Sequence, residues 1–113
     1  MNDTNQLKEG TIRHLQEHIA GKIKSRGFED ESLHERLLLL VEEVGELVNA
    51  CRKISGMNID TKRENKANVG EELADCINMI FGVGIELGVD IEKEFIEKNA
   101  EVDKRFYQRS DKK

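Results

Sequence analysis

Hydrophobic positions recur along this chain in four runs with helical spacing, separated by short polar stretches. Leu7, Ile12, Leu15, Ile19 and Ile23 follow one another at steps of three to five. That period predicts a first helix over residues 4–25, stopped at Gly27. Asp30, Glu31 and Ser32 form a cluster suited to a helix N-terminus. A second helix is expected after them, reaching about Ile54 and ended by Ser55-Gly56. Residues 55–66, SGMNIDTKRENK, carry no apolar period and read as a loop. A third helix is expected over residues 67–87, ending at Gly88. Asp90 is placed to cap a fourth, over residues 91–108, and the tail RSDKK is expected to fray. No linker divides the chain, so the expectation is one all-α domain over residues 1–113, shaped like a four-helix bundle.

Three acids interrupt the most apolar run, LLLLVEEVGELVNAC at residues 37–51. On a helical wheel with Glu43 at zero, Leu40, Val41, Val44, Leu47, Val48, Cys51 and Ile54 fill an arc from roughly 20° to 160°. Leu39 and Ala50 fall just across zero. Glu43 therefore lies within the apolar stripe, Glu46 at its edge and Glu42 outside it. The third helix repeats this placement. With Glu72 at zero, Val69, Leu73, Cys76, Ile77, Ile80 and Val83 fill about the same arc, and Met79 lies across zero. Glu72 is inside the stripe, Asp75 at the edge and Glu71 outside. If the two helices pack antiparallel, Glu43, Glu46, Glu72 and Asp75 converge in one groove.

An unpaired buried carboxylate is costly, and several of one sign repel until a cation neutralises them. Oxygen ligands suit Mg²⁺, with Mn²⁺ also accommodated. The physical reading is a divalent-metal site. The plainer reading is a set of solvated acids, because glutamate favours helices and EExxE arises by chance in acidic ones. The matched placement of the four acids favours the metal; Glu42 and Glu71 point outward and are equally well read as surface groups.

The two motifs, VEEVGELVNA and GEELADCINMI, resemble the MazG-type nucleoside triphosphate pyrophosphohydrolases. That all-α group also includes the dimeric dUTPases and the phosphoribosyl-ATP pyrophosphohydrolases. Its pattern of EExxE, a spacer and ExxD reads here as Glu42-Glu43-x-x-Glu46, 25 residues, then Glu72-x-x-Asp75. The resemblance runs from about Leu33 to Arg105. It implies the MazG fold and metal ligands at Glu43, Glu46, Glu72 and Asp75, the same four that the wheel singles out. It also implies cleavage of a nucleoside triphosphate between its α and β phosphates, with Mg²⁺ bridging phosphate oxygens. Glu42 is the candidate to orient or deprotonate the attacking water.

A triphosphate also calls for cations. Lys98, Asn99 and Arg105 resemble the family's late K-N…R segment, and Lys98 and Arg105 are expected to share one helix face. A charged solvated helix with Glu94–Lys98 pairing is the competing reading. Lys53 and the loop pair Lys62-Arg63 are further candidates. Relatives hold the base with the first helix and the second loop; here His14, His18 and Phe28 stand in that region, without the tryptophan that many relatives carry. His14 and His18 make an HxxxH pair, but no third zinc ligand is evident and surface histidines are the better reading.

Composition narrows the partners. The net charge is −5 with the charge spread along the chain, which argues against a nucleic-acid surface. No stretch approaches a membrane span, and the N-terminus lacks a basic-then-apolar signal, so a cytoplasmic protein is expected. Cys51 and Cys76 are expected as small core residues. With 36% charged residues and 4% aromatic ones in 113, the core is modest, and a homodimer or homotetramer is expected. Two rivals remain. A di-iron bundle needs two ExxH motifs, and only Glu31-x-x-His34 is present, at a helix start. A helical dimerisation or regulatory module is the non-enzymatic alternative. Ala74, Phe81 and Ile85 make the third helix apolar over most of its circumference, and Gly82, Gly84 and Gly88 permit close approach of another helix.

Overall fold

The computed structural model describes residues 10–56, 58 and 68–108. Among these there are four α-helices and no strand: α1 (Thr11–Ser25), α2 (Leu33–Ile54), α3 (Val69–Leu87) and α4 (Ile91–Asp103). The all-α expectation holds, and the ends follow local chemistry. Ser32 accepts from Glu35 N–H while the Glu35 side chain returns to Ser32 N–H, a reciprocal capping box that fixes the start of α2. Asn68 caps α3 through Glu71 N–H, and Gly88 ends it with a left-handed φ of 67°. Asp90 caps α4 through Lys93 N–H.

One expected boundary moves, at the end of α4. α1 begins at Thr11, after Gly10 at φ 91°, outside helical space. Residues 4–9 of the expected first helix lie outside the described region, as do Lys62 and Arg63. The fourth helix ends at Asp103, and residues 105–108 are irregular. Phe106 is 93% exposed and Tyr107 67%, so a further turn would have no apolar surface to bury, and short helices persist through burial rather than propensity. Arg105 consequently leaves the helix and does not continue the face of Lys98.

α2 and α3 form the principal packed pair and run antiparallel: Arg36, early on α2, meets Glu86, late on α3, while Glu43 faces Glu72 and Asp75. α1 packs on α3, and α4 packs on α1. Gly84 is needed at the turn into α4, since a Cβ there would lie 2.5 Å from Ile91 Cδ1.

The first turn of α1 has no side-chain cap of its own. Its orphan N–H groups are satisfied from the far end of the chain. Glu92, fully buried, accepts from Gly10 N–H at 2.9 Å and Arg13 N–H at 3.1 Å, and pairs with the Arg13 guanidinium at 3.0 Å. Asp90 takes a second bond from Arg13, and the Gln16 amide bridges Val89 C=O and Ile91 N–H. These hydrogen bonds hold the Glu92 carboxyl below its ordinary pKa, the Arg13 N–H bond contributing most.

The apolar arc of α2 divides in two. Leu40 and Leu47 are half-buried toward α3, whereas Leu37, Val41, Val44 and Val48 are exposed. On α3, Leu73, Ile77 and Ile80 are exposed likewise. In antiparallel helices these two stripes fall on the same side of the pair, opposite the side bearing Glu46 and Asp75. Cys76 is buried as expected; Cys51 lies on the open stripe and is exposed. No helix among the described residues is long and apolar enough to cross a membrane.

Candidate metal centre and adjoining cavity

Glu43 sits on the inner face of α2 because its neighbours one turn away, Leu39, Leu40 and Leu47, are turned toward α3 and α1. Glu72 and Asp75 occupy the matching turn of α3. Carboxylate oxygens of Glu43, Glu72 and Asp75 all lie within 4.8 Å of one another. Burial, with the charges of Asp75, Glu72 and Glu42 and a hydrogen bond to Glu72, pushes the Glu43 carboxyl above its ordinary pKa. Glu72 Oε2 is buried and has no hydrogen-bond partner among the described residues. Three crowded acids, one reluctant to ionise and one with an orphaned buried oxygen, fit a divalent cation bound by carboxylate oxygen.

Of the four acids expected to converge, the structure brings three together. Glu46 is exposed, one turn along α2, and stands outside that group. Glu42 is exposed beside the cluster and lines an open groove with Glu31, Glu35, Leu38 and Leu39. Lys53 lies two turns past Glu46 on the same side of α2. Lys98 and Asn99 are engaged within α4: Lys98 Nζ lies 3.6 Å from Glu101, and Asn99 donates to Phe95 C=O at 2.9 Å. Arg105 pairs with Glu101 and reaches the Tyr107 hydroxyl. α4 has no packing onto α2 comparable to its packing on α1.

A cavity of about 160 Å³ lies between α1, α2 and α3. Ile19, Ile23, Leu39, Met79 and Phe28 form its apolar walls; Arg36, Glu31 and Asn78 add polar groups. Leu39 is one turn from Glu43, and Asn78 and Met79 are one turn from Asp75, so the cavity wall lies one helical turn from the acids. Phe28 lines the cavity, whereas His14 and His18 are exposed on α1 and do not. Arg36 is the residue that sequence reasoning passed over. Its position on the α2 wheel, about 20° from Glu43 and inside the apolar stripe, is the signal that marks it.

Fold and site together define an all-α protein whose central antiparallel helix pair presents a carboxylate cluster beside a mostly apolar cavity. The sequence profile of the phosphoribosyl-ATP pyrophosphohydrolases matches residues 10–105, and the chain belongs to that family. The family lies within the MazG-like all-α NTP pyrophosphatase superfamily, so the resemblance in the acidic motifs holds at that level, and nothing singles out the MazG branch itself. Membership makes this a pyrophosphohydrolase of nucleotide phosphoanhydride bonds, in a family typically dependent on a divalent metal. No curated protein and no solved structure matches the chain.

Proposed function

We propose that the chain hydrolyses a (deoxy)nucleoside triphosphate between the α and β phosphates, releasing the monophosphate and pyrophosphate, with Mg²⁺ or Mn²⁺ as the working cation. The observation that carries this is the crowded Glu43–Glu72–Asp75 cluster, one helical turn from a cavity with mostly apolar walls. The role served is clearance of unwanted nucleotides or control of their level.

Position along α2 orients the substrate. The base enters the cavity at the Leu39 end, the phosphates lie over the acids, and the pyrophosphate end points toward Lys53. Glu43, Glu72 and Asp75 hold the cation, with Glu46 at its outer side. When bound, the cation supplies charge neutralisation of the phosphate oxygens. Glu42 orients the water and takes its proton as the water oxygen bonds to the α phosphorus. The bond from that phosphorus to the bridging oxygen breaks, and pyrophosphate leaves with that oxygen. Lys53, Lys98, Asn99 and Arg105 are assigned to the phosphates. Lys98→Ala should raise KM about tenfold with little change in kcat, as removal of a charge-assisted contact does. An unchanged KM removes Lys98 from the site.

The exposed stripes of α2 and α3 are assigned to contact between copies, giving a homodimer or homotetramer; nucleic acid and membrane are not partners in this reading. Light scattering should give a mass of at least two chains, and a monomer at working concentration overturns it.

The family match favours a second reading, with phosphoribosyl-ATP as the substrate. One panel separates them. Protein with Mg²⁺ or Mn²⁺ is incubated with the eight common NTPs and dNTPs and with phosphoribosyl-ATP, and products are resolved by ion exchange. Monophosphate plus pyrophosphate from the common nucleotides, abolished by EDTA, is the expected result. Turnover of phosphoribosyl-ATP alone supports the second reading. Diphosphate plus orthophosphate contradicts both. No turnover and no metal-induced rise in Tm leaves a non-catalytic helical module.

A further inference from the structure

Arg36 is 6% exposed, and its five N–H donors are unevenly served. Nη2 donates to Phe28 C=O at 2.9 Å, and Nε reaches Glu86 at 3.4 Å. Nη1 lies 3.8 Å from Glu31 Oε1, an ion-pair separation beyond hydrogen-bond range. No described residue accepts a hydrogen bond from Nη1. This nitrogen sits at the cavity wall: a Cβ on Gly82 would lie 3.6 Å from it, and Gly82 and Arg36 both line the cavity. A largely apolar chamber thus has, among its polar lining groups, a guanidinium nitrogen that faces the open space with donor capacity no described residue takes up.

We propose that Arg36 determines which bases the cavity accepts, by donating from Nη1 to a carbonyl oxygen on the edge of the base distal to the sugar. This rests on the reading of the substrate as a nucleoside triphosphate. Arg36 precedes Glu43 by two helical turns, about 10 Å along α2, so it stands at the end of the cavity away from the phosphates. The group that reaches it is O6 of a purine or O4 of a pyrimidine. Glu31, also in the wall, accepts the ring N–H beside that carbonyl. An exocyclic amino group at the same place would aim a donor at a donor and leave both unpaired. Guanine, hypoxanthine, uracil and thymine nucleotides are therefore preferred over adenine and cytosine nucleotides.

The test is kcat/KM of the wild-type protein with Mg²⁺ for GTP, ITP, UTP and dTTP against ATP and CTP. A preference of about tenfold or more for the oxo bases is expected, the size of discrimination an arginine–carbonyl contact gives. Arg36→Lys should bring the ratio toward one while ATP turnover persists. Because Arg36 also anchors Phe28, a parallel measurement uses wild-type protein alone: the Tm shift produced by α,β-methylene analogues of GTP and ATP. Selective binding of the GTP analogue without hydrolysis of any triphosphate would sustain the role of Arg36 and end the triphosphatase reading. Equal turnover of all bases would do the reverse. Preference for ATP and CTP means the pairing is inverted, with a ring nitrogen on Arg36, and overturns the proposal. No binding of either analogue overturns both.

Discussion

Glu43→Gln and Asp75→Asn should each lower kcat about a thousandfold while leaving the helical content unchanged, since each, on the proposed reading, removes a ligand of the cation that would offset the charge of the phosphates. Without metal, Glu43→Gln should melt higher than the wild type at pH 7. The sign follows from the raised Glu43 pKa. A carboxyl that holds its proton more tightly when folded stabilises the fold at low pH, and that contribution is lost as pH rises from the unfolded value of 4.5 through the folded one. Metal-free wild type should therefore lose Tm across that window, and the glutamine variant should lose less. Saturating Mg²⁺ should flatten the wild-type profile and leave the variant unmoved. Near-normal turnover by either variant, with fold intact, would end the assignment of these acids to a metal.

Glu92→Gln should produce the largest loss of stability of any single polar substitution in the chain. It removes a fully buried carboxylate that closes the first turn of α1 and neutralises Arg13. For a domain of this size the expected drop in Tm is on the order of 10 °C. The pH dependence runs opposite to that of Glu43. The folded pKa is depressed, so the stabilisation is present above 4.5 and disappears as pH falls through the folded value. Wild type should lose stability on acidification in this range, and the variant should lack that component. Melting curves at a series of pH values check both signs together. A variant that melts within 1–2 °C of wild type would show that the tether carries little of the fold.

Much of the architecture was legible because it depends on neighbours in sequence. The capping groups at Ser32 and Asp90 and the stop at Gly88 are local chemistry, and the acidic placement on α2 and α3 follows from period alone; the cap at Asn68 was not singled out. Three of the four acids meet as the two wheels imply. Glu46 stays outside that group, one turn along α2 from Glu43, a separation along the axis that the wheel does not measure. Arg105 was misplaced for the same kind of reason: its phase assumed a helix that lacks an apolar contact to sustain its last turn. Glu92 was invisible, being one of several acids in IEKEFIEK, and what distinguishes it is a set of partners about eighty positions earlier. Cys51 and the valines of α2 show the limit of an apolar stripe as evidence. The stripe marks what must be covered, and the chain alone covers only part of it.

The Glu92 tether also sets an order of events during synthesis. α1 leaves the ribosome before α2, α3 and α4, yet the carboxylate that completes its first turn is made only with α4. Contacts that wait for distant partners form late. The α2–α3 hairpin can pair as soon as α3 emerges. α1 can settle on it through apolar contacts but gains its terminal seat only when residues 90–92 appear. The cavity wall that α1 provides is therefore finished only once α4 has been made. A chain halted before α4 would carry the whole acidic cluster beside a cavity whose α1 wall is not yet seated.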